Sequence, residues 1–316
     1  MMKLLAISAG KIVYVFLRLF GRMAGTLPGL IAEKLDPNIL HDTLTKLPQG
    51  VVVVTGTNGK TTTTKILSEI LSKKYRVLTN PTGSNFTRGI AAAVVKQASF
   101  SGKLNFDIAV IELDEAYAVK FVEKVKPDYS IILNVTRDQM DRFGEIDYTA
   151  KLLETVVKNT KKTVVLNADD NRVRPMKNVA KCQTSYFGVS SSLSSIFVND
   201  ENLHTASRQS RDIAVDAELV SLDGSITTFL LGSEKLSVKL NFFGLYNSQN
   251  VVAASLLASK LGLTKDEITS ALVKTKPAFG RGEIFGLGSN EVILQLVKNP
   301  AGFRQALLGS KMLTQT

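Results

Sequence analysis

The chain of 316 residues contains a single cysteine, Cys182. One thiol excludes a disulfide framework and a cysteine-rich zinc site, and it fits a reducing, cytoplasmic setting. Long apolar runs are missing too. Leu4 to Phe20 is rich in apolar residues, but Lys11 and Arg18 interrupt it, and its longest unbroken stretch, Ile12 to Leu17, is far too short to cross a bilayer. No small-residue cleavage site follows a clean apolar region, so a secretory signal peptide is not expected. There is no arginine-rich tail and no nucleic-acid motif, which argues against a nucleic-acid partner. Charged residues are only 21% against 44% hydrophobic, which excludes a disordered chain and allows a sizeable core and two domains.

The charge that is present is lopsided. A formal net charge of +11 favours anionic partners such as nucleotides, pyrophosphate-linked substrates or phospholipid. Part of it sits near the start of the chain. At helical spacing, Lys11, Arg18 and Arg22 share one stripe, while Leu5, Ile12, Val15, Phe16 and Leu19 share another. Such a helix suits the membrane interface; the alternative is an ordinary helix packed on the following domain.

The organising stretch is Val51 to Thr64, VVVVTGTNGKTTTT. Four β-branched residues predict a buried strand. Gly56, Asn58 and Gly59 then turn the chain, and Lys60 with four threonines opens a helix whose Ile66, Leu67, Ile70 and Leu71 share a face. Strand, glycine turn, Lys-Thr and helix make a phosphate-binding loop. Backbone N–H groups of Gly56, Thr57, Asn58, Gly59, Lys60, Thr61 and Thr62, together with the positive end of the helix, favour a polyphosphate. Lys60 would reach the β- and γ-phosphates, and Thr61 would place its hydroxyl on Mg²⁺.

Further strands are expected at Tyr75–Leu78, Phe106–Leu113, Tyr129–Asn134 and Val164–Leu166, with an alanine-rich helix over Ile90–Gln97. The alternation predicts an α/β fold with a mainly parallel sheet and helices on both faces. Glu112 ends the strand FDIAVIEL, where open α/β sheets bind ligands; its carboxylate would hold Mg²⁺, or else be an acidic strand end in solvent. The loop Asn80 to Asn85 is either a γ-phosphate contact or a simple turn. From Tyr186 to Phe243, short β-like runs alternate with Gly, Ser and Asn turns and read as a small β-rich insertion.

The string T-G-T-N-G-K-T-T departs from the common P-loop, because Val54 occupies the site of its first glycine. It resembles the Mur ligase superfamily, the ATP-dependent carboxylate–amine ligases of cell-wall and folylpolyglutamate synthesis. Later segments resemble that superfamily in the same order. Asn167-Ala168-Asp169-Asp170 is similar to its NADD string. Phe243 to Asn250 is similar to its G-x-[HY]-N-x-x-N helix start, whose second Asn, here Asn250, sits by the nucleotide; the alternative, capping of the helix alone, is disfavoured by the surrounding match. Gly280-Arg281-Gly282-Glu283 is similar to a Gly-Arg-x-Glu whose Arg, here Arg281, contacts the phosphates. In VTRDQMDRFG, Gln139 and Phe143 replace the usual histidines, so metal ligation at Gln139 is not expected. With IELDEA and LVKNPAGF, these segments are similar to one branch, the MurT ligases.

The resemblance implies ATP and Mg²⁺ as cofactors, with Lys60, Glu112 and Arg281 catalytic and Thr61 and Glu112 on the metal. It further implies amidation of the D-glutamate α-carboxyl of lipid II, a GatD-like glutaminase partner, and a cytoplasmic position, peripheral at the inner face of the membrane. No zinc is expected, since the ribbon common in this branch needs four cysteines. The expected organisation is an N-terminal amphipathic segment over 1–48, a central ATP-binding domain over 49–303 and the start of a C-terminal region over 304–316. On that reading the isolated chain is expected to bind Mg²⁺-ATP but to amidate lipid II poorly. Two alternatives remain open: another ligase of the superfamily, or a non-catalytic ATP-binding scaffold. The sequence following Thr316 discriminates between enzyme and scaffold.

Overall fold

A computed structural model describes residues 2–21, 25–80, 86–136, 146–194, 196–197, 213–278, 280–288, 290–297 and 299–313. The elements run α1 (Met2–Leu19), α2 (Leu27–Leu35), α3 (Ile39–Leu44), β1 (Gly50–Thr55), α4 (Lys60–Leu71), β2 (Val77–Thr79), α5 (Thr87–Gln97), β3 (Ile108–Glu112), α6 (Glu115–Lys124), β4 (Tyr129–Ile132), α7 (Ile146–Asn159) and β5 (Thr163–Asn167). They continue with β6 (Gln183–Val189), β7 (Ala217–Asp223), β8 (Ile226–Leu231), β9 (Glu234–Lys239), α8 (Leu245–Lys260), α9 (Lys265–Leu272), β10 (Arg281–Leu287), β11 (Asn290–Gln295) and α10 (Pro300–Leu313).

Strand β1 lies inside a nine-stranded sheet of order β2-β3-β1-β4-β5-β6-β7-β8-β9. Pairing is parallel from β2 through β7 and antiparallel from β7 to β9. The valine run explains why β1 is central. Val51 and Val53 face one core, shared with α1, α2, α3, α5, α6 and α7. Val52 and Val54 face the other, shared with α4, α8 and α9. A strand buried on both faces needs apolar residues at every position, and this one has them. On α4, the expected face of Ile66, Leu67, Ile70 and Leu71 is wholly buried.

The expected strands all form, with ends shifted by one or two residues. The β-rich run is continuous with the main sheet: β6 and β7 extend its parallel part, and β8 and β9 close it as hairpins. The Asn-Ala-Asp-Asp string ties strand ends together. Asn167 Nδ2 donates to the Leu133 carbonyl at 2.8 Å, and Asp169 Oδ2 accepts from Val189 N at 2.7 Å. Asp170 accepts from the backbone N–H of Val135, Arg172 and Val173 at 2.8, 2.9 and 3.0 Å. Burial raises the Asp170 pKa, and these donors oppose the rise.

This clamp predicts that Asp170→Ala, which strands three backbone donors, two of them buried, lowers the unfolding free energy by about 2–4 kcal/mol in urea titration. A loss within about 0.5 kcal/mol, the range of a neutral surface change, would show that the clamp is dispensable.

Candidate functional site

The site is assembled at the carboxyl ends of β1 and β3. Their parallel register sets Val54 opposite Glu112, so the glycine turn after β1 and the acidic string after β3 emerge side by side. The turn is closed by Gly59, which caps α4 in the left-handed region at φ 88°. A Cβ there would lie 2.4 Å from Asn250 Oδ1. Only glycine takes this conformation without strain.

The turn is held from outside. Thr57 N donates to the Asn134 carbonyl at 2.9 Å, and Asn58 N donates to Asn134 Oδ1 at 2.8 Å. Asn134 Nδ2 returns a bond to the Asn58 carbonyl at 3.1 Å. The amides of Thr57 and Asn58 are therefore already engaged. Those of Gly59 to Thr62 form the first turn of α4, where no helical carbonyl stands behind them, and Gly59 at the N-cap has no side chain to cap that turn. They supply the donors that an anion can reach.

Lys60 is almost fully buried. Its Nζ donates to the carbonyls of Gly56 at 2.6 Å and Thr57 at 3.3 Å, and it forms an ion pair with Glu115 Oε2 at 3.2 Å. Thr61 Oγ1 donates to Glu112 Oε1 at 2.7 Å. Glu112 is fixed through its backbone, whose N–H donates to Asn80 Oδ1 at 2.9 Å while its carbonyl accepts from Asn80 Nδ2 at 3.0 Å. Among the described residues, no three His, Cys, Asp or Glu side chains gather into a metal cage. A hydroxyl hydrogen-bonded to one carboxylate suits Mg²⁺, which takes few protein ligands and completes its shell with phosphate and water.

A cleft of about 300 Å³ opens over this floor. Thr57, Asn58, Gly59, Lys60, Thr61, Thr62, Glu112, Asn250 and Arg281 all line it, and the Gly56 carbonyl sits beneath Lys60. Arg281 begins β10 and is partly buried; desolvation lowers its pKa, and the nearby Glu112 carboxylate opposes that shift. The guanidinium stays charged at any ordinary pH. The two asparagines of the α8 start divide their work. Asn247 Nδ2 donates to the carbonyls of Phe243 at 2.8 Å and Arg281 at 3.3 Å, tying α8 to β10, while Asn250 faces Gly59.

Three further residues come from parts of the chain that carried no site expectation. Glu115 pairs with Lys60. Asn299 Nδ2 donates to Asn58 Oδ1 at 3.0 Å across 241 positions of sequence. Gln305, on α10, lines the cleft, donates through Nε2 to the Ile196 carbonyl at 3.0 Å, and has a buried Oε1 with no hydrogen-bond partner among the described residues. The strings IELDEA and KNPAGF signal the first two, but only the fold reveals their contacts. Residues 81–85 of the Asn80 loop, and Asp138, Gln139, Asp141, Arg142 and Phe143, lie outside the described residues.

The turn geometry carries its own prediction. Gly59→Ala forces a side chain into the left-handed region and is expected to cost about 1–2 kcal/mol in urea unfolding. A variant as stable as the parent chain would mean that this turn adopts another conformation.

Comparison with known proteins follows the same segments. Residues 54–258 match the Mur ligase middle domain family. The chain is 33% identical over 336 aligned positions to the lipid II isoglutaminyl synthase (glutamine-hydrolyzing) subunit MurT of Streptococcus pneumoniae, covering 96% of this chain and 72% of that protein. It is 29% identical to the Staphylococcus aureus subunit of the same name, covering 96% and 73%. In fold it is similar to the MurF ligase of Thermotoga maritima, solved in complex with ADP. The TM-score is 0.71 at 20% identity, with 90% of this chain matched and only 61% of that one. This chain, with its phosphate loop, parallel sheet and homologues, belongs to the Mur ligase family.

Proposed function

We propose that this protein is an ATP-dependent carboxylate–amine ligase of peptidoglycan synthesis. The observation that carries the reading is the convergence of Lys60, Thr61, Glu112, Asn250 and Arg281 on one cleft at the mouth of a phosphate-binding loop. The left-handed Gly59 turn and the first-turn amides of α4 are features that a nucleotide would use, as is Gln305 Oε1, which has no partner among the described residues. Mg²⁺, held by Thr61 and Glu112 when bound, would neutralise phosphate charge.

The residues then divide the work. The amides of Gly59 to Thr62 receive phosphate oxygens. Lys60 exchanges the Glu115 carboxylate for phosphate, and its flexible stem lets it follow the transferring group. Arg281, which lines the cleft near Glu112, stabilises charge developing between nucleotide and acceptor. In the reaction, an acceptor carboxylate oxygen attacks the γ-phosphorus and ADP leaves. An amine then attacks the acyl carbon, phosphate departs, and the amine proton passes to solvent or a base.

For the acceptor and the amine we infer a MurT-like assignment from the named relatives, which are subunits of a glutamine-hydrolyzing lipid II isoglutaminyl synthase. The acceptor is then the D-glutamate α-carboxyl of the lipid II stem peptide. Ammonia comes from a GatD-like glutaminase, and the protein works at the inner face of the membrane.

Lys60→Ala is expected to reduce ATP affinity by more than about tenfold in calorimetry while the chain still folds, with a lowered unfolding midpoint because the buried Glu115 carboxylate loses its partner. Glu112→Gln should weaken Mg²⁺-ATP more than metal-free ATP; equal losses would remove Glu112 from the metal site. Mass spectrometry of the stem peptide tests the finer assignment. Amide formation with ammonium, or with glutamine once a GatD-like subunit is added, supports it. Addition of an amino acid in place of ammonia would point to another ligase of the family.

A further inference from the structure

A helix that serves only as a buttress turns its large apolar side chains toward the core. Helix α1 does the reverse. Its buried residues are Ala6, Ile7 and Gly10, two of them small. A Cβ at Gly10 would come within 2.9 Å of the Pro28 carbonyl oxygen and of Val95 Cγ1, so the inner face is trimmed to let α2 and α5 approach. Leu5, Ile12, Phe16 and Leu19 recur at helical spacing on the outer face, and their exposures run from 55% to 78%. Phe16 and Phe20 stack with ring centroids 4.7 Å apart, both in solvent. A contiguous apolar face of this kind marks an interaction surface.

Its charge identifies the partner. Helix α1 contains Lys3, Lys11 and Arg18 and no carboxylate. Lys3, at the docked end, faces Asp36 and Asp42 as well as Lys46. Lys11 borders the apolar stripe. Its ammonium donates to the Lys96 carbonyl at 3.4 Å and lies 5.3 Å from the ring centroid of Phe100, itself exposed. Arg18 is exposed on the same border. Among the described residues no helix is long and apolar enough to cross a membrane. A second copy of the chain is a poor occupant, because a twofold pairing of this face would bring Lys11 and Arg18 against their own copies with no α1 carboxylate to receive them. An anionic bilayer satisfies both features at once, taking the apolar stripe to headgroup depth while its phosphates meet the cations.

We propose that the outer face of α1 is a docking surface for an anionic lipid bilayer, with the helix lying in the plane of the headgroups. The proposal stands on the exposed face of α1 and is independent of the ligase chemistry.

The test is flotation of the full chain with vesicles of phosphatidylcholine containing phosphatidylglycerol, against vesicles of phosphatidylcholine alone. Binding is expected to the first and to fall with salt. The double variant Phe16→Asp/Leu19→Asp should reduce vesicle partitioning about a hundredfold. Lys11→Glu/Arg18→Glu should reduce it more than about tenfold at low salt and flatten the salt dependence. Phe16, Leu19 and Arg18 are exposed and Lys11 is half-buried, so the thermal unfolding midpoint of each variant verifies that it folds. Equal flotation of the parent and the Phe16→Asp/Leu19→Asp variant overturns the proposal, as does equal binding to neutral and anionic vesicles. So does a dimer, seen by light scattering, that this variant dissolves while the parent ignores vesicles.

Discussion

Lys60 is a cation held almost entirely out of water, and the site is built around that fact. A buried ammonium is tolerated only when acceptors surround it. Here they are two carbonyls of the glycine turn and the Glu115 carboxylate, itself buried. The turn must keep its carbonyls beneath Lys60 and its later amides toward the cleft, which demands the left-handed Gly59. Glu115 must arrive from the neighbouring strand, which demands that β3 pair with β1 in the register that puts Glu112 beside Val54. An anion entering the cleft competes with one carboxylate for Lys60.

The rest of the molecule supports this arrangement in two ways. The central sheet, covered on both faces, fixes the strand ends from which the loops spring, and the Asn134 and Asp170 clamps lock those loops to their neighbours. The last segments supply the roof. Arg281 on β10, Asn299 before α10 and Gln305 within it reach the cleft from more than 200 positions beyond the phosphate loop in sequence. The backbone bond from Phe243 N to the Gly282 carbonyl, at 3.0 Å, and the Asn247 side chain anchor that roof to α8. Displacing it separates Arg281 from the phosphate side of the cleft.

Much of this was legible in the sequence because its signals are local. Four consecutive valines, a glycine turn and Lys-Thr define strand, turn and helix within 14 residues, and the apolar strand ending in Glu112 carries its own position. Asn250 and Arg281 became legible only through the order of segments shared with the Mur ligases, since nothing near either residue points at a phosphate. Glu115 stood in view within IELDEA, but its partner lies 55 residues away and no spacing reveals it. The segment Gly280 to Glu283 is legible as a motif but not as the start of strand Arg281–Leu287; the Gly-Ser-Asn that follows, before the apolar run from Val292, is the available hairpin signal. Periodicity found the basic and the apolar stripe of α1, but the fold buries neither: a third face, Ala6, Ile7 and Gly10, packs against α2 and α5 because its small residues let those helices approach.

The central claim, that the glycine turn and the first turn of α4 receive a nucleotide's phosphates, is tested most directly by amide hydrogen exchange of the full chain with and without Mg²⁺-ATP. The account predicts added protection concentrated at Gly59 to Thr62, with smaller protection around Arg281 and Asn299 as the roof settles. Unchanged exchange across Gly59 to Thr62 at an ATP concentration that calorimetry shows to be saturating would contradict it and send the nucleotide elsewhere on the molecule.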